Sequence, residues 1–262
     1  FHAHAGIRDP LWSRGLGDVY KRQPLILSKK QISQMSNRKT GIGFDQLIIV
    51  STSESSKSDF NIHFRNSDGS FAYMCMYGLR CVAKFIWDKK LASKDNILKL
   101  ETKKMILRAK SLSNNNVQLI FRAPKFIHVN EDTKKFLKKL KIIDHYFVNV
   151  GNKHIITKVN NLEDVDLREL YKEISEYKAL RGFNLSIIKG NARNIHVRTW
   201  EHGAGETLSC GSASACIGFI YAKPSKKVNI LSKGGKIVTE LKDEMYLSGP
   251  AKTSYEGKWQ TS

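Results

Sequence analysis

The chain has 262 residues, of which 41% are hydrophobic, and its 44 Lys and Arg against 24 Asp and Glu give a formal net charge of +20. This composition suffices for a sizeable core in one large or two small domains, and no apolar run reaches the roughly 18 residues that a membrane-spanning helix needs. The basic residues are scattered and no nucleic-acid-binding motif accompanies them, so we attribute the charge to a lysine-rich composition rather than to nucleic-acid binding.

The first 23 residues read differently from the rest of the chain. The stretch WSRGLGDVYKRQ at 12–23 can be back-translated, codon by codon, into a common sequencing adapter. We therefore expect residues 1–23 to be a non-native segment, and because they lack strand alternation, we expect no strand there.

From residue 24 onward, helices alternate with short strands. Ser28 followed by Gln31 predicts a capping box that begins a helix running to about Met35. Apolar residues at i, i+3, i+4 and i+7 predict a helix over 78–87, while 213–222 is apolar nearly all round, which is typical of a buried helix. A surface helix is predicted at 167–177, and strands at 46–50, 60–64, 117–121, 146–150, 155–159, 195–199, near 228, 236–239 and 245–247.

Four cysteines fall in two pairs with the same spacing, Cys75 with Cys81 and Cys210 with Cys216. Zinc sites favour cysteines two to four residues apart, so we expect no metal site. Four cysteines in a chain of this length do not make a disulfide scaffold, which favours a reduced, cytoplasmic setting.

Each cysteine pair also accompanies one apolar helix, and this repeat predicts two similar α/β halves. We place the first half at 24–122 and the second at 123–248. A C-terminal segment, 249–262, is expected to return to the first half.

Cys75 and Cys210 each come just before a predicted apolar helix. Unpaired amides and the dipole at a helix N-terminus favour the thiolate, and the same amides can bind a carboxylate. One thiolate could remove the α-proton of an amino acid, and the other thiol could deliver a proton to the opposite face. On position alone, two buried small residues remain the alternative interpretation.

Six short motifs surround these cysteines, namely GIGFDQ at 41–46, NSDGS at 66–70, GNKH at 151–154, GAGET at 203–207, CGS at 210–212 and GPA at 249–251. No single motif is specific, since a lone G-x-G carries little information. In their order and approximate spacing, the six motifs together resemble the diaminopimelate epimerase family, and the resemblance runs from about residue 24 to the C-terminus.

The resemblance implies an α/β fold of two pseudo-symmetric halves, each a curved, mostly antiparallel sheet around a central helix. It implies cofactor-independent epimerisation of LL- to meso-diaminopimelate, for lysine and peptidoglycan precursor synthesis, by a cytoplasmic homodimer without a membrane or nucleic-acid partner.

The same resemblance assigns roles to individual residues of this chain. Cys75 and Cys210 would be the two catalytic acid/base groups, and Tyr255 a dimer contact. His154 and Glu201 occupy positions that tune the cysteines. The positions implied for substrate binding are Gln46, Asn66, Met76, Tyr77, Asn152, Asn184, Glu201, His202, Gly211 and Ser212.

Three features depart from the family pattern. Met76-Tyr77 replaces Gly-Asn after the first cysteine and could obstruct the approach of a ligand to the backbone. His202 replaces an arginine, which would bind a carboxylate through two parallel bonds. The N-terminal strand of the family, with its substrate-binding asparagine, is missing. Two alternatives follow, a racemase of the same fold acting on another amino acid and a non-catalytic binding protein on the epimerase fold.

Overall fold

A computed structural model describes residues 3–5, 16–20, 27–72, 74–191, 193–223, 226–257 and 259, with the backbone alone for 3–5 and 16–20. The chain divides into two compact units. The first unit comprises Phe1–Phe121 and Ser248–Ser262, and the second comprises Arg122–Leu247. Among the described residues, no helix is long and apolar enough to cross a membrane.

The first unit is a mixed sheet with two helices. Strands β2 and β3 pair in parallel, as do β4 and β6, whereas the β1–β2, β3–β4, β4–β5, β6–β7 and β7–β8 pairs are antiparallel. The elements are β1 (Ala3–Ala5), β2 (Leu16–Tyr20), α1 (Lys29–Ser36), β3 (Gln46–Thr52), β4 (Phe60–Asn66), β5 (Phe71–Ala72), α2 (Met76–Asp88), β6 (Leu98–Glu101), β7 (Ile106–Ser111) and β8 (Asn116–Phe121).

Helix α2 packs against this sheet, on strands β2, β3, β7 and β8. A Cβ atom added at Gly78 would lie 2.7 Å from Cδ1 of Ile48 and 3.0 Å from Cε1 of Phe64, two residues that pair across β3 and β4. The absence of a side chain at Gly78 therefore lets the first turn of α2 approach the sheet closely.

The prediction that residues 1–23 contain no strand is wrong. Strand β2 pairs in parallel with β3 from Leu16↔Gln46 to Tyr20↔Val50, and β1 pairs with β2. Ladder hydrogen bonds join backbone groups, so a segment without side-chain alternation can still satisfy the edge of β3. The other residues of the segment lie outside the described residues. The proposed adapter origin of the segment stays a prediction.

The second unit is also a mixed sheet. Strands β11 and β12 pair in parallel, as do β13 and β15, and the β9–β10, β10–β11, β12–β13, β13–β14 and β15–β16 pairs are antiparallel. Its elements are β9 (Lys125–Phe126), α3 (Glu131–Lys139), β10 (His145–Asn149), β11 (Lys153–Lys158), α4 (Leu167–Glu176), a 3-10 turn (Lys178–Leu180), β12 (Asn184–Gly190), β13 (Asn194–Glu201), β14 (Gly205–Thr207), α5 (Gly211–Ile220), β15 (Lys227–Ser232) and β16 (Gly235–Leu241). Strand β17 (Met245–Pro250) begins in this unit and ends in the first.

Helix α5 occupies in the second unit the role that α2 has in the first. It packs on β10, β11, β15 and β16, and its residues from Gly211 to Gly218 are buried. The predicted fold class, a mostly antiparallel sheet around a central helix in each half, is confirmed. The predicted capping box is also present, since Ser28 and Gln31 exchange both hydrogen bonds at the start of α1.

Candidate active site

Cys75 is the N-cap residue of α2 and is half-buried. Its Sγ atom accepts a hydrogen bond from the Gly78 N–H at 3.3 Å. The first helical hydrogen bond runs from the Leu79 N–H to the Cys75 carbonyl at 2.9 Å. The amides of Met76 and Tyr77 precede that bond, at the positively polarised end of the helix where a carboxylate would be favoured.

The bulky residues after Cys75 are accommodated by the fold. Met76 is only 1% exposed and belongs to the core. Tyr77 is half-buried, and its ring centroid lies 4.9 Å from Cζ of Arg80. The Met76 side chain is thus packed into the protein, and the Tyr77 ring engages a cation.

Gln46 and Asn66 form a pair of amides across β3 and β4, where they lie directly opposite each other. The Gln46 Nε2 donates to the Asn66 Oδ1 at 3.5 Å, a long and weak hydrogen bond. Side chains two residues apart on a strand share a face, so this pair lies on the face of the Ile48–Phe64 pair, which contacts α2 at Gly78.

The turn at 66–70 holds Asn66 in place. The Asn66 Nδ2 donates to the Ser70 Oγ at 3.0 Å, and the Asn66 N–H donates to the Ser70 carbonyl at 2.9 Å. Gly69 has φ +78°, and a Cβ there would lie 2.7 Å from the Cα of Lys29. Glycine is therefore required at this position for both conformational and steric reasons.

In the second unit, Cys210 is the N-cap residue of α5 and is buried. The first helical hydrogen bond runs from the Ser214 N–H to the Cys210 carbonyl at 3.0 Å, beyond the amides of Gly211 and Ser212. The Cys210 Sγ lies 3.3 Å from the Ser212 Oγ. The catalytic candidate of each unit thus caps a buried helix.

A chain of hydrogen bonds extends from Cys210 into the sheet. The Ser212 Oγ lies 3.0 Å from the His154 Nε2, which is also 3.3 Å from the Asn184 Nδ2. The Asn184 Oδ1 accepts from the His202 N–H at 2.8 Å. His154 and Asn184, which are distant from Cys210 in the sequence, are therefore connected to its thiol.

The directions of these hydrogen bonds follow from the His202 amide. A backbone N–H can only donate, so the Asn184 atom that it meets is the oxygen, and the other atom is the NH₂ donor. His154 Nε2 must then accept, which places the histidine proton on Nδ1. Ser212 donates its hydroxyl proton to Nε2, which leaves the Ser212 oxygen as an acceptor for the Cys210 S–H. This network favours the protonated thiol of Cys210.

Strand register explains why these residues meet. His154 pairs with Asn184 across the parallel strands β11 and β12, and the pairing of Leu185 with Trp200 brings Glu201 level with Asn184 on β13. Three predicted site residues therefore form one row across three adjacent strands. The carboxylate of Glu201 accepts from the Thr207 Oγ1 at 2.6 Å.

His202, at the position of the family's arginine, has an exposed side chain that contacts α4. Its Nδ1 lies 2.9 Å from the Tyr171 hydroxyl, and the Tyr171 ring stacks on Trp200 with centroids 5.5 Å apart. Burial raises the pKa of Tyr171, so its hydroxyl is protonated and can donate. When it donates, the imidazole carries its own proton on Nε2 and presents a single N–H donor.

Burial controls the protonation of two other groups in the second unit. Complete burial lowers the pKa of His154 to about 3, so the imidazole is neutral at physiological pH. Burial, with a smaller contribution from Cys210, raises the pKa of Cys216 well above its ordinary value. Cys216 is therefore a protonated thiol, whereas His154 can act only through hydrogen bonds.

The remaining predicted positions lie outside these two networks. Asn152 is in the turn before β11, where its carbonyl accepts from the Val150 N–H at 3.1 Å. The Tyr255 hydroxyl donates to the Ile42 carbonyl of its own chain at 3.1 Å, and its side chain is 40% exposed. Within the described ranges, no group of three or more His, Cys, Asp or Glu residues is placed to hold a metal ion.

Three residues of these networks were missed in the sequence. Thr207 lies in a quoted motif, but nothing local links it to Glu201. Tyr171 lies on a helix that the sequence predicted only as a surface helix. Arg80 carried the one available signal, a charge inside an otherwise apolar helix segment.

Comparison with known proteins identifies the family. The profile of the family described as diaminopimelate epimerase matches residues 19–119 and 146–254. The chain belongs to the diaminopimelate epimerase family. It is accordingly an isomerase. The family match begins at residue 19, within the segment 1–23 rather than after it.

Curated members of the diaminopimelate epimerase family resemble the chain over nearly its whole length. The diaminopimelate epimerase of Buchnera aphidicola subsp. Baizongia pistaciae is 33% identical over 86% of this chain and 84% of its own. That of Coxiella burnetii (strain Dugway 5J108-111) is 28% identical over 91% of this chain and 92% of its own.

Solved structures show the same fold at low identity. A PhzF-family phenazine biosynthesis protein from Bacillus anthracis matches with a TM-score of 0.72 and 15% identity, over 100% of this chain and 98% of its own. A hydroxyproline epimerase from Agrobacterium vitis matches with a TM-score of 0.65 and 11% identity, over 98% of this chain and 90% of its own.

Proposed function

We propose that the protein interconverts LL- and meso-diaminopimelate without a cofactor, using Cys75 and Cys210 as its acid/base pair. The observation that carries the proposal is the placement of each cysteine as the N-cap of a buried helix. Such a position stabilises a thiolate and offers first-turn amides to the substrate carboxylate. The family and its named relatives support diaminopimelate as the substrate.

The proposed reaction transfers one proton at each face of the α-carbon. The thiolate of one cysteine takes the α-proton, so a C–H bond breaks, an S–H bond forms and a carbanion is left. The thiol of the other cysteine gives its proton to the opposite face, so a C–H bond forms and that sulfur becomes a thiolate. The two sulfurs end with exchanged protonation states, ready for the reverse reaction.

The hydrogen-bond network of the second unit supports Cys210 as the proton donor in one direction. Ser212 accepts from the Cys210 S–H because its own proton is directed to His154. A neutral His154 does not compete for the proton, since burial keeps its pKa at about 3. We propose that Ser212 and His154 hold the thiol in position rather than exchange protons with the substrate.

A second candidate, a racemase of the same fold acting on another amino acid, is favoured by His202. Its imidazole is hydrogen-bonded to Tyr171 and presents one donor, whereas an arginine would grip a distal carboxylate with two. A substrate with a smaller or uncharged distal group would lose less binding free energy when histidine stands in place of this arginine.

An α-proton exchange assay in deuterium oxide separates these candidates. The intact protein is incubated with LL- and meso-diaminopimelate and with a panel of other amino acids, and deuterium incorporation is followed by mass spectrometry. Exchange into diaminopimelate supports the first proposal, and exchange into another amino acid supports the second. Exchange into none of them, by a folded protein, would contradict both and favour the binding protein.

We further propose that the active form is a cytoplasmic homodimer in which Tyr255 contributes to the subunit contact, as the family resemblance implies. The exposed Tyr255 ring supports this assignment. Analytical ultracentrifugation of the protein and of Tyr255→Ala tests it. A monomeric protein, or a variant dimer of unchanged affinity, would contradict this role of Tyr255.

A further inference from the structure

Arg198 is a half-buried cation of β13 whose guanidinium makes hydrogen bonds in two directions. On one side, its Nε and Nη2 donate to the two carboxylate oxygens of Glu206 at 2.7 and 2.9 Å, which is a bidentate ion pair. On the other side, its Nη1 donates to the carbonyls of Leu162 at 2.5 Å and Val165 at 3.1 Å. One side chain therefore joins strand β14 to the segment that precedes α4.

The surroundings of Arg198 strengthen these contacts. Its side chain is 14% exposed and that of Glu206 is 32% exposed, so salt and solvent screen the ion pair only in part. The hydrogen bonds with Glu206 raise the pKa of Arg198 and lower the pKa of Glu206, so both groups are charged. A guanidinium can bind a carboxylate through two donors and direct a third donor elsewhere in a fixed geometry, which an ammonium cannot do.

The segment held by Arg198 leads directly into α4. Val165 precedes the N-cap residue Asp166, whose carboxylate accepts from the Arg168 and Glu169 amides at 3.0 and 3.1 Å. Tyr171 follows in the same helix. Because backbone hydrogen bonds connect each turn of a helix to the next, a displacement of the start of α4 would move Tyr171 with it.

Helix α4 covers one face of β13 and also contacts β14. Alternate residues of a strand share a face, so Arg198 and Trp200 lie on the same side of β13. The Tyr171 ring stacks on Trp200 with centroids 5.5 Å apart, and its hydroxyl lies 2.9 Å from Nδ1 of His202. Arg198 and Tyr171 thus tie α4 to the same part of the sheet at two separate points.

The backbone of His202 is held independently of α4. Its N–H donates to the Asn184 Oδ1 at 2.8 Å, and the Ala204 N–H donates to the Glu201 carbonyl at 3.0 Å within the turn. Since these bonds fix the turn on the sheet, the contact between His202 and Tyr171 depends on where α4 lies.

We propose that Arg198 is a positioning residue that sets the distance between α4 and strands β13 and β14, and thereby holds Tyr171 against His202. Arg198 does not touch the substrate and acts through Tyr171. The consequence for substrate choice rests on the proposed function, in which His202 takes the place of an arginine that would bind the distal carboxylate.

Carbethoxylation of histidines by diethyl pyrocarbonate tests this assignment in the full chain without any substrate. The reagent acylates an unprotonated imidazole nitrogen, and in His202 that nitrogen is Nδ1, which accepts from Tyr171. The rate at each histidine is measured by peptide mass spectrometry in the protein, in Tyr171→Phe, in Arg198→Gln and in the double variant. His196, exposed on β13, is the internal reference, and the fully buried His154 reports loss of folding.

The matched control compares Glu206→Gln with Glu169→Gln. The ion pair of Glu169 with Lys172, at 3.6 Å, lies within α4, whereas Glu206 pairs with Arg198 across two strands. Both variants replace a carboxylate with an amide of the same shape, so only the loss of the Arg198 contact should change the rate at His202.

We expect Tyr171→Phe to raise the His202 rate about fivefold, the factor that corresponds to one lost neutral hydrogen bond. Arg198→Gln and Glu206→Gln should each raise it toward the same value, and Arg198→Gln should add nothing in the Tyr171→Phe background, because both act on one contact. Glu169→Gln should leave the rate unchanged. An unchanged His202 rate in Tyr171→Phe or Arg198→Gln, or multiplied effects in the double variant, would overturn the proposal.

Glu206→Gln covers the case in which Arg198→Gln fails to fold, which reactive His154 would reveal. This variant keeps the arginine and its bonds to the carbonyls before α4. An unchanged His202 rate in folded Glu206→Gln would then overturn the proposal.

Enzyme kinetics test the consequence for substrate choice. Arg198→Gln should change KM across the amino-acid panel in the same direction as Tyr171→Phe, with little change in kcat, and Arg198→Lys should restore part of the KM. A loss of stability alone would lower the active fraction, and so the apparent kcat, without changing KM. A fall in kcat at constant KM would therefore overturn positioning through Tyr171. Failure of the proposed function would appear separately, as absent α-proton exchange by the unaltered protein, and the histidine rates would still decide the role of Arg198.

Discussion

The Oγ atom of Ser212 lies 3.0 Å from Nε2 of the buried His154, and this contact fixes the direction of the hydrogen bonds that reach Cys210. His154 must accept there because Asn184 also donates to the same nitrogen. Ser212 is therefore left to accept from the Cys210 thiol, whose sulfur is 3.3 Å away. The contact therefore connects a buried, neutral imidazole to the thiol that we propose as a proton carrier.

Removal of the Ser212 hydroxyl should slow turnover. We expect Ser212→Ala to lower kcat about tenfold, the equivalent of one lost hydrogen bond of roughly 1–1.5 kcal/mol in positioning the thiol. The matched control is Ser214→Ala, two residues along the same buried helix, whose hydroxyl donates to the Cys210 carbonyl. The measurement is steady-state kinetics. A loss of kcat in Ser214→Ala equal to or greater than that in Ser212→Ala would contradict a specific role for Ser212.

Burial of neutral His154 should make stability depend on acid pH. Its folded-state pKa of about 3 lies below the ordinary value of 6.5, so the unfolded chain binds the extra proton between these values. Stability contributed by the neutral form is complete above about 6.5 and falls toward pH 3, with a slope of up to about 1.4 kcal/mol per pH unit.

Urea unfolding at several pH values tests this expectation for His154. His154→Gln should lose the acid-dependent slope, whereas His196→Gln, at an exposed position on β13 of the same unit, should retain it. Parallel stability curves for the protein and His154→Gln would show that His154 does not contribute.

Only the helix-capping cysteines should be needed for epimerisation. We expect Cys75→Ala and Cys210→Ala each to abolish full turnover, because each face of the α-carbon needs its own proton carrier. Cys81→Ala and Cys216→Ala should retain activity, since burial keeps Cys216 protonated and Cys81 donates to a backbone carbonyl. Circular dichroism can follow epimerisation by each variant. Full turnover by Cys75→Ala or Cys210→Ala would refute the two-cysteine scheme.

The Tyr171–His202 contact should control substrate choice. His202→Arg should lower KM for diaminopimelate about tenfold or more, because a second charge-assisted bond becomes possible. Tyr171→Phe should alter KM across the substrate panel more than kcat. Tyr177→Phe, whose ring stacks on Phe136 near the end of the same helix, is the control. Unchanged selectivity in both test variants would show that Tyr171 and His202 do not control substrate choice.

Gly69 offers a steric test of the Asn66 turn. Gly69→Ala combines φ +78° with a Cβ 2.7 Å from the Lys29 backbone, whereas Gly203→Ala combines φ +78° with no atom within 4 Å. The dihedral cost is shared, at about 1–2 kcal/mol. We expect Gly69→Ala to destabilise the protein by at least about 1 kcal/mol more. Equal losses in thermal unfolding would show that the clash is relieved by movement of α1.

Local patterns in the sequence were enough to predict the elements that hold the cysteines. The apolar spacing at 78–87 and the apolar run at 213–222 predicted α2 and α5, and the Ser28 capping box marked the start of α1. Several elements were missed, among them β6, β12 and α3. Helix α3, for example, buries only Thr133 and Leu137, and its lysine-rich sequence contains few apolar residues to mark the buried face.

The sequence by itself determined the family, through six ordered motifs, and the position of Cys75 and Cys210 at helix starts, because caps and apolar periodicity are local properties. Only the tertiary structure decided the row of His154, Asn184 and Glu201, the contact of His202 with Tyr171 and the burial of Arg80. These arrangements depend on strand register and packing between residues far apart in the chain. The N-terminal segment shows the same division, since β2 completes the edge of β3 through backbone hydrogen bonds that no side-chain pattern encodes.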